Sequence, residues 1–224
     1  MTHAPYAAVV RRRCSPQARD WLDRVLARMT PPLDVAAFQV AYAGAARRVG
    51  DEVVVVDAEE ETAHASEAPA PRGQPLDEVA RAALLLRALD CLAPGEHAAL
   101  VDEVYRRGDT REQAALLRAL CLLPAPERFL ATAVEACRTN VRAVFEAIAC
   151  RNPYPARHFP EPSFNQMVLK VLFVELSLDT VDGLRGRITP ELRRMAEDYA
   201  RERRAAGRPV PADIAILDSR GSVG

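Results

Sequence analysis

Apolar residues recur at three- and four-residue steps through most of this chain, and a proline or a glycine ends nearly every such stretch. This spacing places the apolar side chains on one face of an α-helix, and the helix breakers set where each helix ends. The composition agrees, because the 224 residues include 40 alanines and only 5% are aromatic. Since alanine favours helix over strand, we predict an all-α fold.

The connectors between the predicted helices are short, which requires consecutive helices to fold back as antiparallel neighbours. Helix starts near Asp77, Gly95, Asp109, Pro126 and Thr139 make helix pairs recur at about 30 residues, the length of a helical-repeat unit. The sequence therefore predicts stacked antiparallel helical hairpins. A solenoid-like stack and an irregular helical bundle would give the same pattern.

Two further helices are predicted ahead of this region. Ser15 followed by Pro16 is typical of a helix start, and Asp34 can cap the next helix. The β-branched run Val53–Val56 could form a short strand paired with Ile214–Leu217. Two short strands make a poor sheet alone, so the fold class is unchanged.

The composition changes between Asp57 and Pro75 to Glu, Ala, Ser, Pro and Gly. Such a segment has too little apolar surface to offset the entropy of ordering it. The sequence thus predicts four parts: an N-terminal helical segment (1–56), a flexible acidic linker (57–75), a main helical domain (76–218) and a disordered tail (219–224).

Charge and hydropathy narrow the class of protein. The net charge of -1 gives no electrostatic basis for nucleic-acid binding. No apolar stretch reaches the roughly 18 residues that a membrane span needs. Arg11, Arg12 and Arg13 follow a short apolar patch, which is the reverse of a secretory signal. We expect a cytoplasmic protein without a membrane span.

The residues usual in metal and catalytic sites are scattered. The five cysteines form no C-x-x-C pair, and the four histidines are far apart. There is no glycine-rich phosphate loop, no H-E-x-x-H and no G-x-S-x-G. The sequence predicts no metal and no cofactor, and it leaves catalytic residues unknown.

One segment differs from the rest, because Cys150–Pro162 holds four prolines in thirteen residues. Proline fixes φ and lacks an N–H, so we predict a rigid connection rather than a helix. It carries Asn152, Tyr154 and His158, and rigid loops can hold binding groups at little ordering cost. The alternative is a stiff turn whose polar groups bond only the local backbone.

The stretch that follows, Phe164–Leu178, is almost entirely apolar, which predicts a central helix. Gln166 and Lys170 nevertheless lie four residues apart on one face. Lys170 is also the only lysine, the other 29 basic residues being arginine. A requirement for a compact ammonium, which the guanidinium group of arginine cannot replace, would explain why lysine stands at this position. The ammonium would pair with Glu146, Glu175 or a ligand. Alternatively, the lysine is a chance survivor whose head reaches water.

These observations predict a polar pocket or partner groove in which the Asn152–Phe159 loop lies against the face of Gln166 and Lys170. Glu146 would supply the counter-charge to Lys170, and Arg201 could approach from the last helix, although a solvated face is the simpler reading of that arginine. The candidate ligand- or partner-binding residues are Glu146, Asn152, Tyr154, His158, Asn165, Gln166, Lys170 and Arg201.

The stretch Cys137–Val174, with its words NPYP and FNQMVLK, closely resembles the core of the EboA family. The helix Leu192–Pro211 is similar to that family's C-terminal segment. Residues before about Asp77 do not carry the resemblance. The resemblance implies a place in bacterial gene clusters beside a UbiA-like prenyltransferase and a TatD-like hydrolase, linked to secondary-metabolite precursors that leave the cytoplasm.

Two functions are compatible with these observations. The first is a cytoplasmic helical accessory or scaffold protein of an ebo-type pathway, which binds a metabolite precursor or a partner enzyme linked to precursor export. The second is an enzyme that acts on a polar pathway intermediate, prenylated or not. The lack of paired catalytic groups at a recognisable spacing favours the first. The expected partners are other ebo-cluster proteins or a small-molecule precursor.

Overall fold

The computed structural model of the chain describes residues 3–55, 71 and 73–218. Over these residues the backbone forms α-helices, short 3-10 helices and one isolated β-bridge, which confirms the all-α prediction. The α-helices are α1 (Ala4–Arg13), α2 (Pro16–Arg28), α3 (Val35–Val49), α4 (Leu76–Asp90), α5 (His97–Arg107), α6 (Thr110–Ala119), α7 (Leu130–Ala136), α8 (Arg142–Ala149), α9 (Tyr154–His158), α10 (Glu161–Phe173), α11 (Pro190–Ala205) and α12 (Ile214–Asp218).

The chain divides into two compact units, Met1–Phe129 and Leu130–Gly224. In the first unit α4 is the central helix, because twelve of its fifteen residues are buried. Helices α1, α3 and α6 pack against it, and α2 packs against α1 and α3. One helix surrounded by several others is the arrangement of an irregular bundle.

The predicted boundary between an N-terminal segment and a main domain lies inside this first unit, because α1 and α3 pack on α4. Helix α1 itself begins ahead of Ser15, where the sequence analysis predicts the first helix. Pro5 lies in its first turn, where a missing N–H costs no hydrogen bond, and Tyr6, Val9 and Val10 are buried. Its apolar residues form one continuous run, Tyr6–Val10, so the three- and four-residue spacing seen in the other helices is missing here.

The strand pairing predicted for Val53–Val56 with Ile214–Leu217 is wrong. The latter residues lie in helix α12. Val53 instead forms a single antiparallel bridge with Pro75, just ahead of α4. Val53 and Val54 therefore anchor the chain that enters the central helix.

Part of the predicted acidic linker is thereby held in place. The amide of Val54 donates to the carbonyl of Gln74 at 2.8 Å, and the amide of Gly73 donates to the carbonyl of Val54 at 2.9 Å. Residues 56–70 and 72, which carry most of the predicted linker, and the predicted tail 219–224 lie outside the described residues.

The second unit is built around α8 and α10. Helix α8 contacts α7, α9 and α10, while α10 also contacts α11, and α12 packs on α11. As the near-apolar sequence predicts, α10 is largely buried, with side chains of every turn in the core. These side chains are Phe164, Met167, Val168, Val171 and Leu172.

Helix α10 ends at Phe173, five residues before the predicted end at Leu178. Glu175 takes a left-handed conformation with φ 57°, and two hydrogen bonds close the last turn. The amide of Leu176 donates to the carbonyl of Val171 at 3.0 Å, and the amide of Glu175 to that of Leu172 at 3.2 Å. This is a Schellman motif, which a residue other than glycine completes here.

The early end changes which apolar residues are expected to stabilise the fold. Phe173 is 66% exposed, whereas Leu172 is 1% exposed. Leu172→Ala should lower the free energy of unfolding by about 2–5 kcal/mol, and Phe173→Ala should change it by about 0.5 kcal/mol or less. Urea denaturation of the two variants measures the difference. Equal losses from both would show that α10 continues into the core beyond Leu172.

Candidate functional site

The predicted site residues lie in the second unit, on or between α8, α9 and α10, apart from Arg201 on α11. Asn152 is buried, and its side-chain amide forms hydrogen bonds with the backbone of one residue before it and one residue after it in the chain. Its Nδ2 donates to the carbonyl of Ala147 at 2.8 Å, and its Oδ1 accepts from the amide of Tyr154 at 3.0 Å. The side chain therefore connects the end of α8 to the start of α9.

The proline-rich segment contains a short helix, so the prediction of a rigid non-helical connection is wrong for Tyr154–His158. Pro155 lies in the first turn of α9, where the missing N–H would have no helical partner. The buried ring of Tyr154 lies 4.7 Å from that of His158 and 6.3 Å from that of Phe159, centroid to centroid. This packing leaves His158 half-buried beside the tyrosine.

Lys170 binds backbone carbonyls rather than the predicted carboxylate of Glu146. Its Nζ donates to the carbonyls of Cys137 and Thr139 at 2.7 Å and 2.6 Å, and it lies 4.7 Å from the centroid of the Phe145 ring. Both carbonyls follow the end of α7, where a helix leaves acceptors unpaired and favours positive charge. The sole lysine thus caps a helix end.

Burial keeps two thiols of this unit protonated, those of Cys137 and Cys150. Burial raises the pKa of Cys137 to about 12, although the ammonium of Lys170 opposes the change. Burial likewise raises the pKa of Cys150. Because the thiolate is the nucleophilic form, neither cysteine is suited to nucleophilic chemistry near neutral pH.

The remaining candidates differ widely in exposure. Asn165 is 2% exposed, and its Oδ1 has no hydrogen-bond partner among the described residues. Gln166 is exposed and Glu146 is half-buried. Arg201 is exposed and bonds Asp198 on its own helix. That Asn152, Tyr154, His158, Gln166 and Lys170 line one polar pocket or partner groove stays a prediction.

A second location, in the first unit, has the dimensions of a ligand site. A cavity of about 770 Å³ lies between α2 and α3, within the range of small-molecule pockets. We call it the α2–α3 groove. The residues that define it are Trp21 and Val25 from α2 and Ala37, Val40, Ala41 and Gly44 from α3.

The α3 side of the groove is apolar and open. Val40 is 75% exposed, although it lies in the middle of a helix whose other face is buried. An added Cβ at Gly44 would meet no heavy atom within 4 Å. Trp21, the only tryptophan of the chain, is half-buried on the opposite side. The groove therefore offers apolar surface and room for a guest molecule.

Three arginines border the groove, at both of its ends. Arg28 lies in the last turn of α2, and Arg47 and Arg48 lie in the last turn of α3. None of the three side chains makes a hydrogen bond or an ion pair with another described residue. The one acidic lining residue is Asp34, whose Oδ1 accepts from the amide of Ala37 at 3.0 Å. The lining is therefore positively charged.

This groove was not predicted from the sequence. The helix starts at Ser15 and Asp34 predict the two helices that flank it, but they indicate no site between them. A second stripe on α3 was available as a signal, since Ala37, Val40, Ala41 and Gly44 also recur at steps of three and four. Two apolar stripes on one helix indicate that one of them faces something other than the core.

Two further observations concern the described residues as a whole. None of their helices is both long enough and apolar enough to cross a membrane. They also contain no group of three or more His, Cys, Asp or Glu side chains placed to hold a metal ion.

The fold and the groove define a class, an all-α protein in which a helical hairpin borders a ligand-sized, positively charged cavity. The chain belongs to the EboA family, whose model is described as metabolite traffic protein EboA and matches residues 4–217. No curated protein and no solved structure matches the chain. The match begins at the first residue of α1, so the expectation that residues ahead of Asp77 lie outside the resemblance is wrong. The α2–α3 groove is therefore within the family domain.

Proposed function

We propose that this chain is an accessory protein of an ebo-type secondary-metabolite pathway, and that it binds a small precursor in the α2–α3 groove during precursor traffic. The observation that carries the proposal is the groove itself, about 770 Å³ of open, mainly apolar space beside the single tryptophan. The family description, metabolite traffic, supports a small molecule as the occupant. A binding role needs no catalytic group at the site.

The groove is also suited to uptake and release. Open apolar surface binds a guest by removing it from water, without a covalent step. Helix α3 packs against α4, and α2, on the other flank of the groove, packs against α1 and α3. Because these contacts involve no guest, the cavity is preformed. A preformed site avoids part of the ordering cost of binding.

Gly44→Leu tests the proposal, because the new side chain would enter the groove from open space. The variant should lose the small molecules that co-purify with the wild-type protein, measured by mass spectrometry of denatured extracts after expression with the cluster partners. Its stability should rise by up to about 1 kcal/mol, since glycine is a poor residue within a helix. Loss of binding would therefore not result from unfolding.

Gly95→Leu is the matched control. Gly95 lies between α4 and α5, away from the groove, and an added Cβ there also meets nothing within 4 Å. It should retain the bound molecules. Equal binding by the wild type and both variants would place the ligand elsewhere. A stoichiometric partner protein with no small molecule would favour the scaffold role, and substrate turnover by the isolated chain would favour the enzyme.

A further inference from the structure

We propose that the ligand of the α2–α3 groove is an anionic amphiphile, with an acidic group held by Arg47 and Arg48 and an apolar body lying along α3 toward Ala37. This inference rests on the proposed function and specifies its ligand class. The acidic group is a carboxylate, a sulfate or a phosphate, which share the geometry that guanidinium groups recognise.

The lining of the groove carries a net positive charge. The described lining residues include three arginines and one acid, Asp34. Asp34 lies at the start of α3, near the end of the groove that Arg28 borders. The opposite end, at Arg47 and Arg48, has no lining carboxylate. The net positive charge is therefore concentrated at the C-terminal end of α3, which determines the orientation of an anionic guest.

Arg47 and Arg48 lie in the last turn of α3 and also border the groove. Basic residues in the last turn of a helix complement its dipole, and that alone could explain Arg47 and Arg48. The dipole does not require them to border a cavity, and many other arginines of the described chain bond a carboxylate, as Arg106 and Arg107 of the last turn of α5 do. Two guanidinium groups beside apolar space, without described partners, provide complementarity to an acidic amphiphile.

The length of the groove along α3 limits the size of its guest. Ala37 and Arg47 are ten residues apart on α3, which separates their Cα atoms by about 15 Å. Between them the groove is lined by Val40, Ala41 and Gly44, with Trp21 from α2 on the other flank. The space suits a molecule with an aromatic or branched apolar body of that length and one charged end.

The test uses two fluorescent probes that differ in one group. Anilinonaphthalene sulfonate is an anionic amphiphile, and phenylnaphthylamine is the same ring system without the sulfonate. Energy transfer from Trp21, the only tryptophan, reports a probe bound near the groove, and Gly44→Leu shows whether the probe lies inside it. We expect the sulfonate to bind the full chain at least about tenfold more tightly than the neutral probe. Higher ionic strength should lower the affinity for the sulfonate probe and leave the affinity for the neutral probe unchanged.

The double variant Arg47→Gln/Arg48→Gln should weaken sulfonate binding by at least about tenfold and leave the affinity for the neutral probe unchanged. Arg19→Gln/Arg24→Gln is the matched control, because both arginines are exposed on α2, neither lines the groove and the change in net charge is the same. That control should bind both probes as the wild type does. Gly44→Leu should lower the affinity for both probes, because its side chain would occupy the groove.

The outcomes separate the two proposals. If neither probe quenches Trp21, or Gly44→Leu changes nothing, binding in the groove itself is refuted. If both probes bind equally and the arginine variant behaves as the wild type, groove binding stands and the anionic ligand is refuted. Two other occupants would also overturn it. Arginine-dependent sedimentation with phosphatidylglycerol vesicles without probe binding indicates a membrane surface, and a dimer that Gly44→Leu dissociates indicates a second copy.

Discussion

Arg81→Met should lower the free energy of unfolding by about 3–5 kcal/mol, because it leaves a buried carboxylate without its main partner. The Arg81 and Asp77 side chains are 2% and 1% exposed and bond each other one turn apart on α4. The Arg81 Nε also donates to the carbonyl of Tyr42 at 3.2 Å, which links α4 to α3. After the substitution, Asp77 keeps only the guanidinium of Arg111, 3.5 Å away and half exposed. Equilibrium denaturation in urea measures the loss.

The same substitution in an exposed pair provides the control. Arg106 and Asp102 are also one turn apart, but their side chains are 75% and 40% exposed, so Arg106→Met should cost about 0.5 kcal/mol or less. A second comparison isolates the orphaned charge. Adding Asp77→Leu to Arg81→Met should recover stability, because no buried charge then remains unpaired. A double variant less stable than Arg81→Met would contradict the argument.

The sequence predicted the helices well where one apolar face was long and regular, as in α4 and α10, because burial of that face sets the period. It could not predict that α10 ends at Phe173. A left-handed Glu175 closes the helix, and glycine is the usual signal for that conformation. It also missed α1, whose apolar residues form one continuous run rather than a spaced face.

The predicted site depended on which polar groups meet in space, and spacing along the chain could not supply that information. Lys170 was expected to face the carboxylate of Glu146, whereas its ammonium bonds carbonyls more than thirty residues earlier in the chain. Such a contact depends on how α10 packs beside the end of α7. The α2–α3 groove was missed for a related reason, since an apolar stripe shows that a helix face avoids water but not whether protein or a guest covers it.

Lys170→Met should destabilise the protein by about 2–4 kcal/mol, since a hydrogen bond to a charged group contributes about 1.5–3 kcal/mol and the side chain makes two. The methionine keeps most of the stem and removes the ammonium, so the carbonyls of Cys137 and Thr139 lose their donor. The contact with the Phe145 ring, 4.7 Å away, loses its cation as well. The half-buried position allows water to replace part of the loss, which keeps the expected value below the full sum.

Gln166→Met is the matched control, because Gln166 is exposed one turn earlier on α10, and its replacement should change stability by about 0.5 kcal/mol or less. Lys170→Arg retains the charge but not the compact shape, so its stability should lie between those of the wild type and Lys170→Met.

The capping role also predicts that probe binding in the α2–α3 groove is unchanged in folded Lys170→Met. If that variant were as stable as the wild type and yet lost pathway output, Lys170 would be a ligand-binding residue. The polar pocket predicted from the sequence would then be the functional site, because an ammonium that contributes nothing to stability would affect pathway output only through what it binds.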